Sequence, residues 1–285
     1  MTKLIIRAGR TEGQYWRDLW HYRELFYVLA WRDIAVRYKQ TVIGVLWAFI
    51  QPFINSVLMT WIFSRIAGLS SVPGVPYFLL VFVAQLPWQF FSASLAVASQ
   101  SLVSNANLIS KVYFPRLIIP AAAVVTALAD FLISFILLLG IMVWFHVWPT
   151  WRMLFLPGLV VLAFASALGP GLFITALNVR YRDFRYVIPF IIQIGFFVSP
   201  VGYMTSKVAG NTFTLPFLKT QIPLLPFYSL NPMVGVIDGF RWSLLGGKTP
   251  VYLPGFFLSL AVTGLLMWFG VWYFRRMERS FADVI

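Results

Sequence analysis

Long apolar runs separated by short charged blocks restrict this chain more than any other feature. Runs suited to crossing a bilayer lie at residues 42–64, 77–100, 118–147, 154–177, 187–203 and 253–274. A hydrocarbon core of about 30 Å asks for roughly 20 apolar residues per helix, and each run meets or approaches that length. An all-α membrane protein with six transmembrane helices is therefore expected. It reads as one domain over 1–285, with an interfacial segment at 1–41, a six-span bundle at 42–274 and a tail at 275–285. Composition agrees, with 60% hydrophobic and 11% charged residues, against roughly 45–50% and 25% in soluble domains. No length remains for a sizeable soluble domain.

A net charge of +13 would suit nucleic acid, but the basic residues sit in blocks between the apolar runs, where they set topology and meet anionic lipid. With the N-terminus inside, the cytoplasmic segments take Lys3, Arg7, Arg10, Arg17, Arg23, Arg32, Arg37, Lys39, Lys111, Arg116, Arg180, Arg182, Arg185, Arg275, Arg276 and Arg279. Arg65, Arg152, Lys207, Lys219, Arg241 and Lys248 fall outside. Both termini are thus expected in the cytoplasm of a multi-pass inner-membrane protein. The first forty residues lack the apolar core of a signal peptide, so the N-terminus is expected to be retained. Zero Cys excludes disulfides, thiolate nucleophiles and Cys-ligated metals. Residues 222–245 are apolar enough to tempt a seventh span, but Pro223, Pro226, Pro232, Asp238 and Arg241 argue for a re-entrant or interfacial helical pair on the outer face.

Five segments carry more specific information. On a helix over 15–39, Trp16, Trp20, Tyr27, Trp31, Ile34 and Tyr38 share one stripe, suited to the headgroup region or to the protein's own spans. Between the second and third spans, Ser104, Asn105, Asn107, Ser110 and Lys111 lead into Val112 and Tyr113. That is either a short docking helix for a partner's groove or a solvated connector. Arg180, Arg182 and Arg185 are first a topology anchor and second a headgroup or partner contact. Asp130 is the acid of an otherwise apolar span. It must face protein or water, and a structural hydrogen bond to a neighbouring helix is favoured over a proton relay, because no second carboxylate lies in any span. Asp238 and Arg241 stand i, i+3, a spacing that allows an ion pair serving a gate or the loop itself. Aromatic content of 18% exceeds what interface belts need. Trp88, Phe90, Phe91, Phe196 and Phe197 could line a conduit for a sugar polymer, with lipid-facing and core packing as the plainer account.

Catalysis by the chain alone has little support. Gly247-Lys248-Thr249 has Trp242 where a phosphate-binding loop needs its first glycine, so ATP has no such site here. His21 and His146 fall on opposite expected sides, no Gly-x-Ser-x-Gly elbow occurs, and no paired carboxylates occupy a membrane-facing loop. No metal site is expected.

Trp31-Arg32-Asp33-Ile34-Ala35-Val36-Arg37-Tyr38-Lys39-Gln40-Thr41-Val42-Ile43-Gly44, with Trp47 and Pro52 beyond, resembles the first segment of type-two ABC exporter permeases. Within these it is similar to permeases for O-antigen, capsule and teichoic-acid polymers. Blocks at 105–120, 176–203 and 230–246 match in order. The resemblance implies a homodimer with two copies of a separate ATPase subunit, which binds the ATP and Mg; this chain carries no cofactor. It also implies an interfacial helix near 16–38, a coupling helix near 104–112 and outer gate helices near 222–245. ATPase coupling then falls to Ser104, Asn105, Asn107, Lys111, Val112 and Tyr113. An undecaprenyl-diphosphate-linked, O-antigen-like glycan would enter past Arg32, Arg37, Lys39, Arg180, Arg182 or Arg185. It would cross a dimeric channel lined by Trp47, Trp88, Phe90, Phe91, Phe196 and Phe197, and leave past a gate at Asp238 and Arg241. Another ABC cargo (teichoic acid, capsule, drug or lipid) and an integral-membrane transferase are the alternatives.

Overall fold

The computed structural model describes residues 12–39, 45–181, 183–208, 212–214, 221–278 and 281. Helix α1 (Glu12–His21) precedes α2 (Arg23–Lys39). Periodicity predicts one helix here, but it is interrupted at Tyr22, although backbone hydrogen bonds from Tyr22 to Asp18 and from Phe26 to Tyr22 bridge the break. The aromatic stripe divides accordingly. Trp16, Trp20, Tyr27 and Trp31 are exposed, while Ile34 and Tyr38 are partly covered.

Helix α3 (Val45–Thr60) runs on into a π-helical turn over Trp61–Ile66. Then come α4 (Tyr77–Ser104), the short α5 (Ala106–Lys111), α6 (Ile118–Trp144), α7 (Leu156–Arg180) and α8 (Phe184–Val198). After α8, β1 (Thr212–Thr214) pairs antiparallel with β2 (Gln221–Pro223), a small ladder in an otherwise helical chain. Helices α9 (Leu224–Tyr228), α10 (Pro232–Leu244) and α11 (Leu253–Glu278) complete the order.

Among the described residues five helices are long and apolar enough to cross a membrane: Leu46–Ile66, Tyr77–Ser104, Ile118–Trp144, Trp151–Arg180 and Leu253–Glu278. The span expected at 187–203 is instead the 15-residue α8, about 22 Å long at 1.5 Å per residue. Pro200 is the reason: the residue before a proline is pushed out of the helical region, and Ser199 takes φ −98°, ψ 150°. The chain then folds back so that Tyr77 donates its hydroxyl to the carbonyl of Gly202. At 222–245 a helical pair does form, as α9 and α10. Pro232 starts α10 at a position where its missing N–H costs nothing, and Asn231 caps it by accepting from Met233 N at 3.0 Å.

Helix α4 is the axis of the bundle. Its apolar window is 72% buried, against 11% for α3 and 22% for α11, so α3 and α11 form the rim. Helices α7 and α11 cross where Gly169 meets Gly270: a Cβ on Gly270 would lie 2.0 Å from the Gly169 carbonyl oxygen. Only glycine permits that approach, and the hydroxyls of Ser166 and Thr263 bond at 3.0 Å beside it, as in bilayer helix pairs that associate through small and hydroxylated residues. The result has two distinct ends, one carrying α5 and the other α10.

Candidate functional site

Asp130, the lone acid in the apolar helix α6, gathers the first site. An ionised carboxylate there requires a partner, and α2 lies against α6 and supplies two from consecutive residues. Arg37 Nη2 stands 2.7 Å from Asp130 Oδ2, and the hydroxyl of Tyr38 donates to Oδ1. The expected hydrogen bond to a neighbouring helix is present, joined by an ion pair that sequence reasoning did not foresee. Burial first, and then the carboxylate it serves, hold the Tyr38 phenol above its ordinary pKa, so it remains a donor. One turn along α6, Ser134 donates to its own helix at Asp130 O (2.9 Å) and to Ala48 O of α3 (3.1 Å).

These groups line a cavity of about 820 Å³ between α2, α3, α4, α6 and α8. Gln51, Gln89 and Ser92 add polar atoms to its wall, and Trp47, Phe90 and Phe131 add rings. Of the aromatics proposed for a conduit, Trp47 and Phe90 reach this cavity. Trp88, Phe91, Phe196 and Phe197 form a separate chain of rings between α4 and α8, with centroids 5.4 to 6.0 Å apart. Trp88 in that chain is buried, whereas Phe197 is exposed.

At the α5 end several side chains stand exposed. Ile109 is buried and anchors α5, while Asn107, Ser110, Lys111, Val112 and Tyr113 are exposed. Ser104 is also exposed, and Asn105 is half-covered. The Asn105 side-chain oxygen accepts from Arg32 Nη2 at 2.9 Å, and the same nitrogen reaches Asp33 Oδ1 at 2.7 Å. Arg32 therefore ties α2 to the break before α5 and is already partnered. The end of α11 clamps the segment that follows: Arg116 donates its backbone N–H to Glu278 Oε1 at 2.7 Å and its guanidinium to the Glu278 carbonyl at 2.6 Å. The remaining basic residues scatter. Lys39 is exposed, Arg180 lies over Tyr181 at 5.3 Å and Arg185 over Tyr186 at 4.9 Å. Arg182 lies outside the described residues.

At the α10 end, Asp238 and Arg241 do not pair as their spacing allows; neither ion pair found among the described residues joins them. Asp238 accepts from the Thr205 hydroxyl at 2.9 Å. Arg241, 1% exposed, donates to the carbonyls of Leu80 (3.3 Å), Tyr203 (2.8 Å) and Val201 (3.0 Å). A backbone kept non-helical by Ser199 and Pro200 offers the Val201 and Tyr203 carbonyls, α4 offers that of Leu80, and local spacing along α10 could not reveal them. Burial raises the Asp238 carboxyl to about 6, against the nearby Arg241 charge and the Thr205 hydrogen bond, which lower it.

Sequence reasoning passed over Gln51, Gln89 and Ser134, and it counted Tyr38 only as part of a stripe. The available signal is a polar side chain inside an apolar run, the same signal that marks Asp130. No cluster of three or more His, Cys, Asp or Glu suited to a metal occurs among the described residues.

The profile described as ABC-2 type transporter matches residues 24–245. The chain is 28% identical over 269 residues to the O-antigen export system permease protein RfbA of Myxococcus xanthus, covering 94% of this chain and 98% of that protein. It is 22% identical over 271 residues to RfbA of Klebsiella pneumoniae, at 92% and 95% coverage. With the capsule polysaccharide export inner-membrane protein CtrC of Neisseria meningitidis serogroup A it shares 25% identity over 246 residues, at 84% and 86%.

Proposed function

The chain belongs to the ABC-2 type transporter family, and from that premise we propose that it is the membrane subunit of an ATP-driven exporter of lipid-linked polysaccharide. The cargo we propose is an undecaprenyl-diphosphate-linked, O-antigen-like glycan. The carrying observation is end-to-end similarity to permeases named for O-antigen export, with 94% of this chain and 98% of the relative aligned.

In this reading two copies of the chain pair in the inner membrane with both termini in the cytoplasm, and two copies of a separate ATPase subunit bind ATP and Mg. The exposed positions Asn107, Lys111, Val112 and Tyr113 on and beside α5, with Ser104 and Asn105, receive the ATPase. The link from Asn105 through Arg32 into α2 supports transmission of its movement to the cavity beside Asp130. Arg32, Arg37, Lys39, Arg180, Arg182 and Arg185 serve the anionic head of the cargo. Trp47, Trp88, Phe90, Phe91, Phe196 and Phe197 serve its sugars, and the α10 end, with Asp238 and Arg241, forms the outer gate region. The uncovered faces of α3 and α8, with Phe53, Val57, Phe190 and Ile194 exposed, favour a second copy as the other wall of the conduit.

Co-purification of the tagged chain in mild detergent, with ATPase activity assayed with and without lipid-linked polymer, tests this. Recovery of a nucleotide-binding subunit, lost when residues 105–113 become a Gly/Ser linker, together with polymer-stimulated turnover, is the expected result. A folded oligomer that never carries an ATPase subunit overturns it.

A further inference from the structure

The cavity beside Asp130 sets three kinds of chemistry around one space. Arg37 carries a planar cationic fork suited to phosphate. Gln51 and Gln89 present amides that have no hydrogen-bond partner among the described residues, although both line the cavity. Trp47, Phe90 and Phe131 present rings. Gln51 is exposed and Gln89 half-buried, so both amides are open to whatever occupies the cavity. An amide carries both donors and an acceptor, and so matches a hydroxyl-bearing ring on its edge, while an aromatic face matches the apolar face of the same ring. Ser92 and Ser134 are less available, because Ser92 donates to Gln89 O at 3.1 Å and Ser134 to Asp130 O and Ala48 O.

We infer that this cavity is a binding site for a lipid-linked glycosyl phosphate, in which the phosphate takes Arg37 from Asp130 while the first sugar bonds to Gln51 and Gln89. This assignment rests on the proposed export function and names the part of the cargo that the chain reads. Asp130 is the selective element. It holds Arg37 at 2.7 Å, so an anion must compete with a carboxylate already in place, and Asp130 keeps the Tyr38 hydroxyl as donor when Arg37 departs. A phosphate lipid without a sugar gains only the exchange of one anion for another. A glycosylated one adds the amide bonds and the ring contacts, which offset the displacement. The site thereby distinguishes loaded from unloaded lipid by competition at one arginine.

The test uses the permease with its ATPase partner in nanodiscs and two probes, a polyprenyl diphosphate bearing one hexose and the same lipid without sugar. The wild type is expected to bind the glycosylated probe at least about tenfold more tightly, on the scale of one to two hydrogen bonds. The double variant Gln51→Ala/Gln89→Ala is expected to lose that preference. Asp130→Asn is expected to bind the unglycosylated probe about tenfold more tightly than the wild type, a gain that misfolding cannot produce. Equal wild-type affinity for the two probes, a preference that survives the double substitution, or no gain in Asp130→Asn overturns the assignment. Polymer-stimulated ATPase of the wild type, measured in parallel, separates the outcomes: if it persists while the probes behave alike, export stands and the cavity assignment falls.

Discussion

Arg241 and Arg37 are both arginines set against the apolar body of the protein, and the chain satisfies them by opposite means. Arg241 is buried and spends its donors on the carbonyls of Leu80, Val201 and Tyr203. Arg37 keeps a side chain 41% exposed and stands on a single carboxylate at the wall of a cavity. Backbone carbonyls neither titrate nor leave, so Arg241 ties α10, the turn after α8 and the start of α4 into one block. A carboxylate can be outcompeted or protonated, so the contact between α2 and α6 can change partner. Displacing the α10 end thus requires those three elements to move together, whereas the α2 side is held at Asp130 by one exchangeable ion pair and the Tyr38 hydrogen bond.

Arg241→Met is the strongest way to break this comparison. It strands the carbonyls of Val201 and Tyr203, at about 1–3 kcal/mol for each acceptor left unsatisfied, and removes the charge near the buried Asp238. The expected outcome is little monodisperse protein in detergent and a large fall in the thermal midpoint. A variant that unfolds at the wild-type temperature would show that the tie does not hold this end together.

Asp130→Asn should cost far less, about 1 kcal/mol, because the pair it removes is partly exposed and Asn can still accept from Tyr38. Thermal unfolding of both variants side by side sharpens the contrast. Equal damage from the two would erase it.

Arg32→Ala should change stability by no more than roughly 0.5 kcal/mol, since Arg32 is exposed and Asp33 half-buried. Its effect belongs to α5, which loses the hydrogen bond from Arg32 to Asn105. Faster hydrogen exchange across α5, with α4 and α10 unchanged, is expected; unaltered exchange at α5 would show that α2 and α5 are not mechanically joined.

The same contrast explains what the sequence made legible. Apolar length and helical period are local properties, so the long helices and the helical pair at 222–245 were readable from their own residues. The shortness of α8 was announced by Pro200, yet the apolar residues beyond it, Val201 and Tyr203, continue the hydropathy and mask the stop. Partners distant in the chain were a different matter. Tyr38 falls in an aromatic stripe by its period, but its phenol needs a bond, and Asp130 lies 92 residues away. Arg241 was read against Asp238 because i, i+3 is visible in the sequence, whereas the carbonyls it uses depend on how the turn after α8 folds back. A lone acid in a span states that it must face protein or water and does not state which group meets it.

The last test asks whether Asp238 belongs to the fixed block. Its carboxyl stands at about 6 in the fold against 3.8 as the ordinary value, with burial as the main cause. Between those values the folded state holds a proton that the unfolded chain has released. Stability from this group therefore falls as pH rises from about 4 to 6 and is constant above that window. Asp238→Asn keeps an acceptor for Thr205 and cannot titrate. The difference in thermal midpoint between wild type and variant, followed from pH 7 to pH 4.5, isolates this residue from every other titrating group. The wild type should gain on the variant as pH falls. A difference that stays flat would mean that the carboxylate is already charged in the folded block, held by the Arg241 field strongly enough to cancel its burial, and the two ends would then differ less than their hydrogen bonds indicate.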